Sequence, residues 1–135
     1  CIDATKTGNI TATGRVWTFD EIRSSSSAVA IADGLLFTAD AAGNVYCLEA
    51  ETGKLHWKHQ TAPVWGSPLV ADGKVYVCTN GRGLLVLAAA REKRVISEGG
   101  KLAFAASPAA ANGVVYLASH QHLYALKADL GKGGD

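Results

Sequence analysis

The four histidines are the side chains in this sequence best suited to binding a metal ion or moving a proton. They form two close pairs, His56 with His59 and His120 with His122. A metal site needs further histidine, cysteine or acidic ligands at suitable spacing, and neither pair has such a companion nearby in the sequence. We therefore interpret all four as solvated residues of strands or loops, and we predict no metal site.

The three cysteines do not form a ligand set either. Cys1, Cys47 and Cys78 are an odd number and show no Cys-x-x-Cys spacing, so a zinc site is not predicted. Cys47 and Cys78 fall within predicted strands, where we expect them to act as small buried hydrophobes. Cys1 is either the lipid-bearing residue of a mature lipoprotein or a position exposed by a cut within a repeat. Its match to Cys47 favours the cut.

No pattern in the sequence predicts a catalytic residue. Asp20 and Glu21 are the only adjacent acids, and they stand at the start of a loop. The four serines at 24–27 lack the Gly-x-Ser-x-Gly context of a hydrolase nucleophile, and we expect their hydroxyls to satisfy backbone groups. Gly81-Arg82-Gly83 is interpreted as a turn rather than a phosphate loop, because no helix follows it.

Composition excludes several classes of protein. Of the 135 residues, 48% are hydrophobic and 19% are charged, which is typical of a globular domain rather than a disordered chain. The formal net charge of +1 gives no electrostatic reason to expect nucleic acid as a partner. No apolar stretch approaches the length of a transmembrane helix, so no transmembrane segment is expected.

An internal repeat is the strongest signal in the chain. Its clearest mark is a triplet that ends in Asp-Gly or Asn-Gly, at Ala32-Asp33-Gly34, Ala71-Asp72-Gly73 and Ala111-Asn112-Gly113. The glycines of these triplets are 39 and 40 residues apart. Asp-Gly and Asn-Gly favour the positive φ values of a two-residue hairpin turn. Hairpin turns are therefore predicted at Asp33, Gly34, Asp72, Gly73, Asn112 and Gly113.

Short apolar strands surround each predicted turn. One strand precedes the triplet, as at 67–70, and a β-branched and aromatic strand follows it, as at 75–78. A third strand comes about ten residues after the triplet, as at 45–48, and a fourth follows a Thr-Gly turn, as at 55–58. Four antiparallel strands in about 40 residues, with no helical period, predict an all-β fold of propeller blades.

The repeat resembles that of the PQQ-type (quinoprotein-like) β-propeller repeat family, which includes propeller lipoproteins of the outer-membrane β-barrel assembly machinery. The resemblance lies in Ala-Glu-Thr-Gly-Lys-Leu-His-Trp at 50–57 and in Ser-Pro-Leu-Val-Ala-Asp-Gly-Lys-Val-Tyr-Val at 67–77. In this family the tryptophan of one blade docks on an alanine and a glycine peptide. The resemblance gives that role to Ala50, Gly53 and Trp57, with Trp17, Gly14 and Ala4 as an earlier copy stretched by residues 5–13.

The third unit departs from this pattern. A shift of 39 residues from Gly53 and Trp57 leads to Glu92 and Ile96, so both the glycine and the tryptophan are missing. The charged run at 91–94 is interpreted as a solvated turn, with a binding patch as the alternative. The missing tryptophan suggests that blade docking is relaxed near this point.

These patterns predict that residues 1–130 form the C-terminal part of a larger propeller. The expected parts are a blade remnant at 1–20 with a fourth strand at 15–19, blades at 24–60 and 64–98, and a last blade at 104–127 without its fourth strand. A flexible tail is expected at 128–135. About three blades are too few for a ring, which has typically about four to eight. We therefore expect the chain to pack on the rest of its own propeller or on another copy of itself.

Two hypotheses about function follow from the resemblance. The first is a non-enzymatic scaffold, periplasmic or secreted, that binds a protein or another ligand and needs no cofactor. The alternative is a fragment of a PQQ-dependent dehydrogenase whose quinone and calcium are bound by other blades. The sequence has no adjacent cysteine pair and no recurring cluster of acidic and amide ligands, which favours the scaffold.

Overall fold

The computed structural model of the chain describes residues 1–127, and within this range every regular element is a β-strand. The strands are β1 (Ala30–Ala32), β2 (Leu35–Ala39), β3 (Asn44–Glu49), β4 (Leu55–Gln60), β5 (Leu69–Ala71), β6 (Lys74–Thr79), β7 (Gly83–Ala88), β8 (Val95–Gly99), β9 (Ala109–Ala111), β10 (Val114–Ala118) and β11 (Leu123–Lys127). The all-β prediction is confirmed. None of the described residues belongs to a helix that could cross a membrane. The predicted tail at 128–135 lies outside the described residues.

The strands form three antiparallel meanders, which we call blade 1 (β1–β4), blade 2 (β5–β8) and blade 3 (β9–β11). In each blade the strands lie side by side in chain order. The first strands of consecutive blades contact each other, β1 with β5 and β5 with β9. These short strands therefore lie nearest a common axis, and the later strands lie successively farther from it.

The first hairpin of each blade turns at one of the Asx-Gly dipeptides. The φ values are 50° and 75° at Asp33 and Gly34, 49° and 64° at Asp72 and Gly73, and 53° and 72° at Asn112 and Gly113. Both central residues of such a turn need positive φ, which asparagine, aspartate and glycine adopt most readily. The turn sequence thereby sets the register of the first two strands in each blade.

Blades 1 and 2 meet in the main hydrophobic core. Alternation along β2 places Leu35, Phe37 and Ala39 on the face toward blade 2. All five residues of β2 are buried, because blade 1 is covered on its other face as well. The buried residues of this seam are Leu35, Phe37, Ala39, Val45, Cys47, Trp57, Val64, Val75, Val77, Leu85 and Leu87.

The segment before blade 1 covers the second face of that blade. Trp17, Phe19 and Ile22 pack on the buried side chains of Leu36, Tyr46 and Leu48. The rings of Phe19 and Tyr46 meet edge to face, with their centroids 5.4 Å apart. The segment therefore acts as a packing layer for blade 1.

The fourth strand predicted at 15–19 does not form a continuous ladder among the described residues, and it stays a prediction. The segment pairs through a single bridge between Ile2 and Arg15. Beside it, Val16 N donates to Cys1 O at 3.0 Å, and the Cys1 ammonium donates to Trp17 O at 2.9 Å. Residues 16–19 belong to no strand of the described chain.

The burial of each cysteine predicts which of the three thiols can react in the folded protein. Cys47 and Cys78 are 0% and 1% exposed, whereas Cys1 is exposed. Burial raises the pKa of Cys47 to about 12 and that of Cys78 to about 11, so almost no thiolate forms at mildly alkaline pH. With Ellman's reagent at mildly alkaline pH, we expect Cys1 alone of these three thiols to react in the native state, and all three to react in denaturant. Cys1→Ser should abolish the native reaction of this chain. Rapid native reaction of Cys47 or Cys78 would contradict this packing.

Candidate functional site

The connection between β4 and β5, residues 61–68, is tied to both blades at its start. Thr61 N donates to Gly43 O in the β2–β3 turn of blade 1, at 2.8 Å. Pro63 O accepts a hydrogen bond from Asn80 N of blade 2, also at 2.8 Å. These two bonds fix the backbone of the first half of this loop against the strands on either side.

The second half of the same loop is held between the segments that lead into the first strands of blades 1 and 3. We call such a segment the entrance of its blade. Ser26 Oγ donates to Trp65 O at 2.9 Å, and Ser67 N donates to Ser107 Oγ at 2.8 Å. Gly66 packs so closely on blade 3 that a Cβ there would lie 2.7 Å from Ser107 N. A residue with a side chain would push the two blades apart, so glycine is required at this position.

The clamped loop carries an exposed tryptophan. Trp65 is 49% exposed, although its neighbour Val64 is 1% exposed and lies in the core of the seam. A large aromatic side chain on a fixed backbone loses little conformational entropy when it is covered by a partner. Tryptophan is also among the residues most enriched at the energetic centres of protein interfaces. Trp65 is therefore the centre of the candidate site.

Serine hydroxyls form the connections around the axis, as the sequence predicts for residues 24–27. Ser25 Oγ donates to Ala39 O at 2.6 Å within blade 1. Ala28 N donates to Ser67 Oγ at 2.8 Å, which joins the entrance of blade 1 to that of blade 2. Ser67 thus accepts from one blade and donates to the next, and the loops near the axis form a continuous hydrogen-bonded arc.

Two histidines of β4 have acidic partners in the structure, which corrects their interpretation as solvated residues without an acidic companion. His56 Nε2 lies 2.9 Å from Glu49 Oε2, and Arg91 Nη2 of blade 2 lies 3.2 Å from the same oxygen. Hydrogen bonds from His56 and then Arg91 hold the pKa of the Glu49 carboxyl below its usual value. The charged run at 91–94 therefore contributes two residues to the contact between blades 1 and 2, Arg91 and Lys93, whose Nζ donates to Lys58 O at 3.4 Å.

The second of these histidines faces a carboxylate across the seam. His59 Nε2 lies 3.8 Å from Glu98 Oε2, which is too long for a hydrogen bond, and it has no other partner. Thr61 Oγ1 donates to Glu98 Oε1 at 2.6 Å, and Arg82 Nη1 lies 3.7 Å from that oxygen. Glu98 therefore ties β8 of blade 2 to the start of the loop that carries Trp65.

The two tryptophans expected to dock blades donate to alanine carbonyls 33 residues farther along the chain. Trp17 Nε1 donates to Ala50 O at 3.1 Å, and its ring lies on Gly53, where a Cβ would overlap the indole. Trp57 Nε1 donates to Ala90 O of blade 2 at 2.9 Å. The structure therefore brings Ala50 and Gly53 together with Trp17, and it brings Trp57 together with Ala90.

The position equivalent to Trp57 in blade 2 is Ser97, and not the Ile96 that a constant shift of 39 residues predicts. Cys47 pairs with Trp57 in blade 1, and Val86 pairs with Ser97 in blade 2. In both blades the register shifts at the next step, so Ile96 corresponds to the residue in the bulge. All of β8 is exposed, and the serine at this position provides no large ring toward blade 3.

A buried polar group that the sequence did not reveal shapes the β2–β3 turn. Asp40 is 2% exposed and accepts hydrogen bonds from Asn44 N at 2.9 Å and from Tyr46 Oη at 2.8 Å. Burial raises the pKa of the Asp40 carboxyl, but the hydrogen bonds outweigh burial and hold the pKa below its usual value. Burial, and then the bond to Asp40, raises the pKa of Tyr46 to about 12. The contribution of Asp40 to stability is therefore present at neutral pH and is lost as the pH falls through its lowered pKa.

The remaining candidate residues do not converge. Gly14 is buried and packs on Ile10, where a Cβ would lie 2.9 Å from the Ile10 Cβ. Asp20 and Glu21 are exposed. Within residues 1–127, no group of three or more histidine, cysteine, aspartate or glutamate residues is placed to hold a metal ion. The arrangement offers an exposed aromatic side chain on a fixed backbone, which suits binding.

Comparisons with known proteins agree with this architecture. A family model described as outer membrane protein assembly factor BamB matches residues 7–133. Among solved structures, BamB from Moraxella catarrhalis is 18% identical with a TM-score of 0.73, and the match covers 87% of this chain and 38% of that protein. The quinohemoprotein alcohol dehydrogenase ADHIIG from Pseudomonas putida HK5 is 23% identical with a TM-score of 0.61, covering 73% of this chain and 17% of that protein.

A computationally designed protein, Ika8, has the same fold in part. It is 17% identical with a TM-score of 0.61, and the match covers 80% of this chain and 35% of that protein. No curated protein matches the sequence significantly. The chain spans less than half the length of each of these solved structures, and at these identities the likeness shows the fold alone.

The close contact at Gly43 predicts that a side chain at this position, under the loop that carries Trp65, would destabilise the fold. A Cβ at Gly43 would lie 2.5 Å from Thr61 O, whereas one at Gly73 would meet open space, and both glycines have positive φ. Gly73→Ala should cost about 1 to 2 kcal/mol of unfolding free energy, from backbone strain alone. Gly43→Ala should cost about 1 to 3 kcal/mol more, because the loop must move. Urea unfolding measures both values, and equal losses in the two variants would contradict the contact.

Proposed function

The chain belongs to the PQQ-type β-propeller repeat family described as outer membrane protein assembly factor BamB, and on that premise we propose that it is a non-enzymatic scaffold that binds a protein partner. The observation that carries the proposal is the exposed Trp65 on its clamped loop, where the entrances of three blades meet. The scaffold works in the cell envelope or outside the cell. The family to which the chain belongs supports this location.

The docking tryptophans give this scaffold its stiffness. Trp17 spans from the segment before blade 1 to Ala50 and Gly53, and Trp57 spans from blade 1 to Ala90. Each indole covers apolar surface between neighbouring layers and satisfies a carbonyl at its edge. Blades linked in this way present their loops at constant spacing, which a partner that covers several loops requires.

Other blades complete the scaffold. Val29 and Ile31 lie near the axis on the face of blade 1 that does not contact blade 2, and they are 53% and 61% exposed. Ile31 is equivalent to Val70, which packs on the core of the main seam, because the two residues are one repeat of 39 residues apart. The rest of the same propeller, or a second copy of the chain, covers this surface. Leaving it uncovered would expose a contiguous apolar patch and a sheet edge to aggregation.

The alternative function is that of a quinoprotein dehydrogenase fragment, and the likeness to the Pseudomonas enzyme supports it at the level of fold. A quinone with calcium would need several oxygen ligands close together. The described residues do not fit that group, because they bring together no cluster of three acidic or histidine side chains. Cys47 and Cys78 are buried in different blades and are not adjacent.

Site-specific photocrosslinking tests the scaffold proposal. p-Benzoylphenylalanine replaces Trp65 in the full-length protein in its own cells, and crosslinked products are identified by mass spectrometry. We expect one reproducible protein partner, because Trp65 is 49% exposed on a fixed loop. The matched control carries the same probe at Ile96, which is 44% exposed on the outer strand β8. A crosslinking pattern at position 65 no different from that at position 96 would contradict the proposal.

A cofactor assay separates the scaffold from the alternative. PQQ and Ca²⁺ are added to the full-length protein, and quinone absorbance and dye reduction with a primary alcohol are recorded. The scaffold proposal predicts no change in the quinone spectrum and no alcohol-dependent dye reduction. Alcohol-dependent dye reduction would establish the dehydrogenase function and overturn the scaffold proposal.

A further inference from the structure

The seam between blades 2 and 3 is packed at only one of its ends. Cys78, Phe104 and Leu117 form a buried core toward the end that carries the loop at 61–68. At the opposite end, beside the Asx-Gly turns of the two blades, lies a cleft of about 830 Å³. Clefts that bind small molecules commonly measure about 300 to 1,000 Å³, so this one is large enough for a ligand.

Two replacements in blade 2 contribute to this cleft. In the seam between blades 1 and 2, the side chains of Leu35 and Trp57 are buried at the corresponding place. The strand registers make Lys74 and Ser97 their equivalents. Ser97 has no ring, and the ammonium of Lys74 lies 2.7 Å from the carboxylate of Asp72 in the turn. Blade 2 therefore presents less apolar volume to blade 3 than blade 1 presents to blade 2.

Blade 3 has a smaller side chain at this place as well. Val70 of β5 packs on the core of the first seam, and the strand registers make Ala110 of β9 its equivalent. Near the axis, β9 contacts β5 as β5 contacts β1. The two blades are therefore neighbours at the axis in the usual way, and the cleft results from smaller side chains rather than from a separation of the blades.

Further blades of the propeller do not enter this cleft. Every residue that lines it belongs to blade 2 or blade 3, and these two blades are consecutive in the chain and adjacent in space. An additional blade packs on the face of blade 1 that carries Val29 and Ile31, or on the face of blade 3 that points away from blade 2. The cleft is therefore expected to persist in the full-length protein.

Tyr76 gives the cleft an aromatic wall. It is the equivalent of Phe37, it is half-buried, and it lines the cleft. In the first seam the ring centroid of Trp57 lies 6.0 Å from that of Phe37. On the side of blade 3, Val115 and the partly exposed Leu126 provide an apolar wall. A planar ring in the cleft would meet Tyr76 as the indole meets Phe37 in the first seam.

We propose that the cleft between blades 2 and 3 binds a small molecule with planar, fused aromatic rings, which takes the place of the missing docking tryptophan. One face of the rings packs on Tyr76, and the other packs on Val115 and Leu126. Polar substituents lie at the mouth of the cleft, where Lys74 binds Asp72. The inference goes beyond the scaffold function, because it assigns a ligand site at the end of the blades opposite the exposed tryptophan.

Binding of prodan to the purified full-length protein tests this inference. Prodan is a neutral naphthalene dye whose emission moves to shorter wavelength in an apolar site. We expect saturable binding that indole reverses and that cyclohexanol at the same concentration does not, because only a planar ring stacks on tyrosine. No saturable binding, or equal displacement by indole and cyclohexanol, would overturn the inference.

A substitution that supplies the missing ring should close the cleft. Ser97→Trp is expected to weaken prodan binding at least about tenfold. It should also raise the urea midpoint of unfolding, because the indole buries apolar surface. Ser97→Ala adds no ring and is the matched control, with an affinity that changes by less than about twofold. A Ser97→Trp protein that is more stable and binds prodan as before would contradict the site.

The aromatic wall has its own test. Tyr76→Leu keeps most of the apolar volume and removes the ring, so it should weaken prodan about two- to tenfold. Alternation along β10 places Tyr116 on the face of blade 3 away from the cleft, so Tyr116→Leu should change the affinity by less than about twofold. Equal losses in the two variants would overturn the assignment. Ser97→Trp decides the matter if Tyr76→Leu unfolds the protein.

The ligand cleft and the scaffold function fail independently. If crosslinking at position 65 captures a partner and the protein does not bind prodan, the scaffold function stands and the ligand cleft is wrong. If prodan binds and position 65 captures no partner, only the scaffold proposal fails. Residues 128–135 follow Lys127 at the rim of the cleft. Prodan binding only after this segment is replaced by glycine and serine would make the segment the occupant and overturn the inference.

Discussion

The packing of blade 1 between two apolar layers is the interaction on which the other features of this chain depend. A single antiparallel sheet with apolar residues on both faces cannot be stable in water, so each blade needs a neighbour. Phe37 and Trp57 meet in the seam with their ring centroids 6.0 Å apart, and Trp17 covers the opposite face. This packing fixes where the strands end. The loop that carries Trp65 is positioned as a consequence.

Polar contacts at the edges of the seam add orientation more than stability. Glu49 binds Arg91 of the next blade, and Glu98 binds Thr61 of the preceding one. Of these two contacts, only Glu49 and Arg91 form an ion pair, and a partly exposed pair contributes little free energy, but the geometry of both contacts restricts how one blade can rotate on the other. Near the axis, Ser67 does the same by bonding both neighbouring entrances. Apolar burial thus holds the blades together, and the polar contacts set their angle.

Local features of this fold were predictable from the sequence, and contacts between blades were not. The Asx-Gly turns and the alternation of apolar residues are encoded in neighbouring residues, so the all-β meanders followed from them. The acids that Arg91 and His59 face did not follow, because the Arg91–Glu49 and His59–Glu98 contacts each join residues of two different blades. A bulge displaced the equivalent of Trp57 to Ser97, which counting cannot reveal. The exposure of Trp65 depends on how three blade entrances meet, and no local pattern records that.

Hydrogen exchange at the clamped loop tests the central claim, that the blades hold a fixed backbone beneath Trp65. In the full-length protein, the amides of Thr61 and Ser67 donate to Gly43 O and Ser107 Oγ. The account predicts exchange at least about a hundredfold slower than in an unstructured peptide, as expected when local opening costs free energy. It also predicts that Ser107→Ala accelerates exchange at Ser67 while leaving Thr61 unchanged. Exchange at both amides near the unstructured rate would contradict the account.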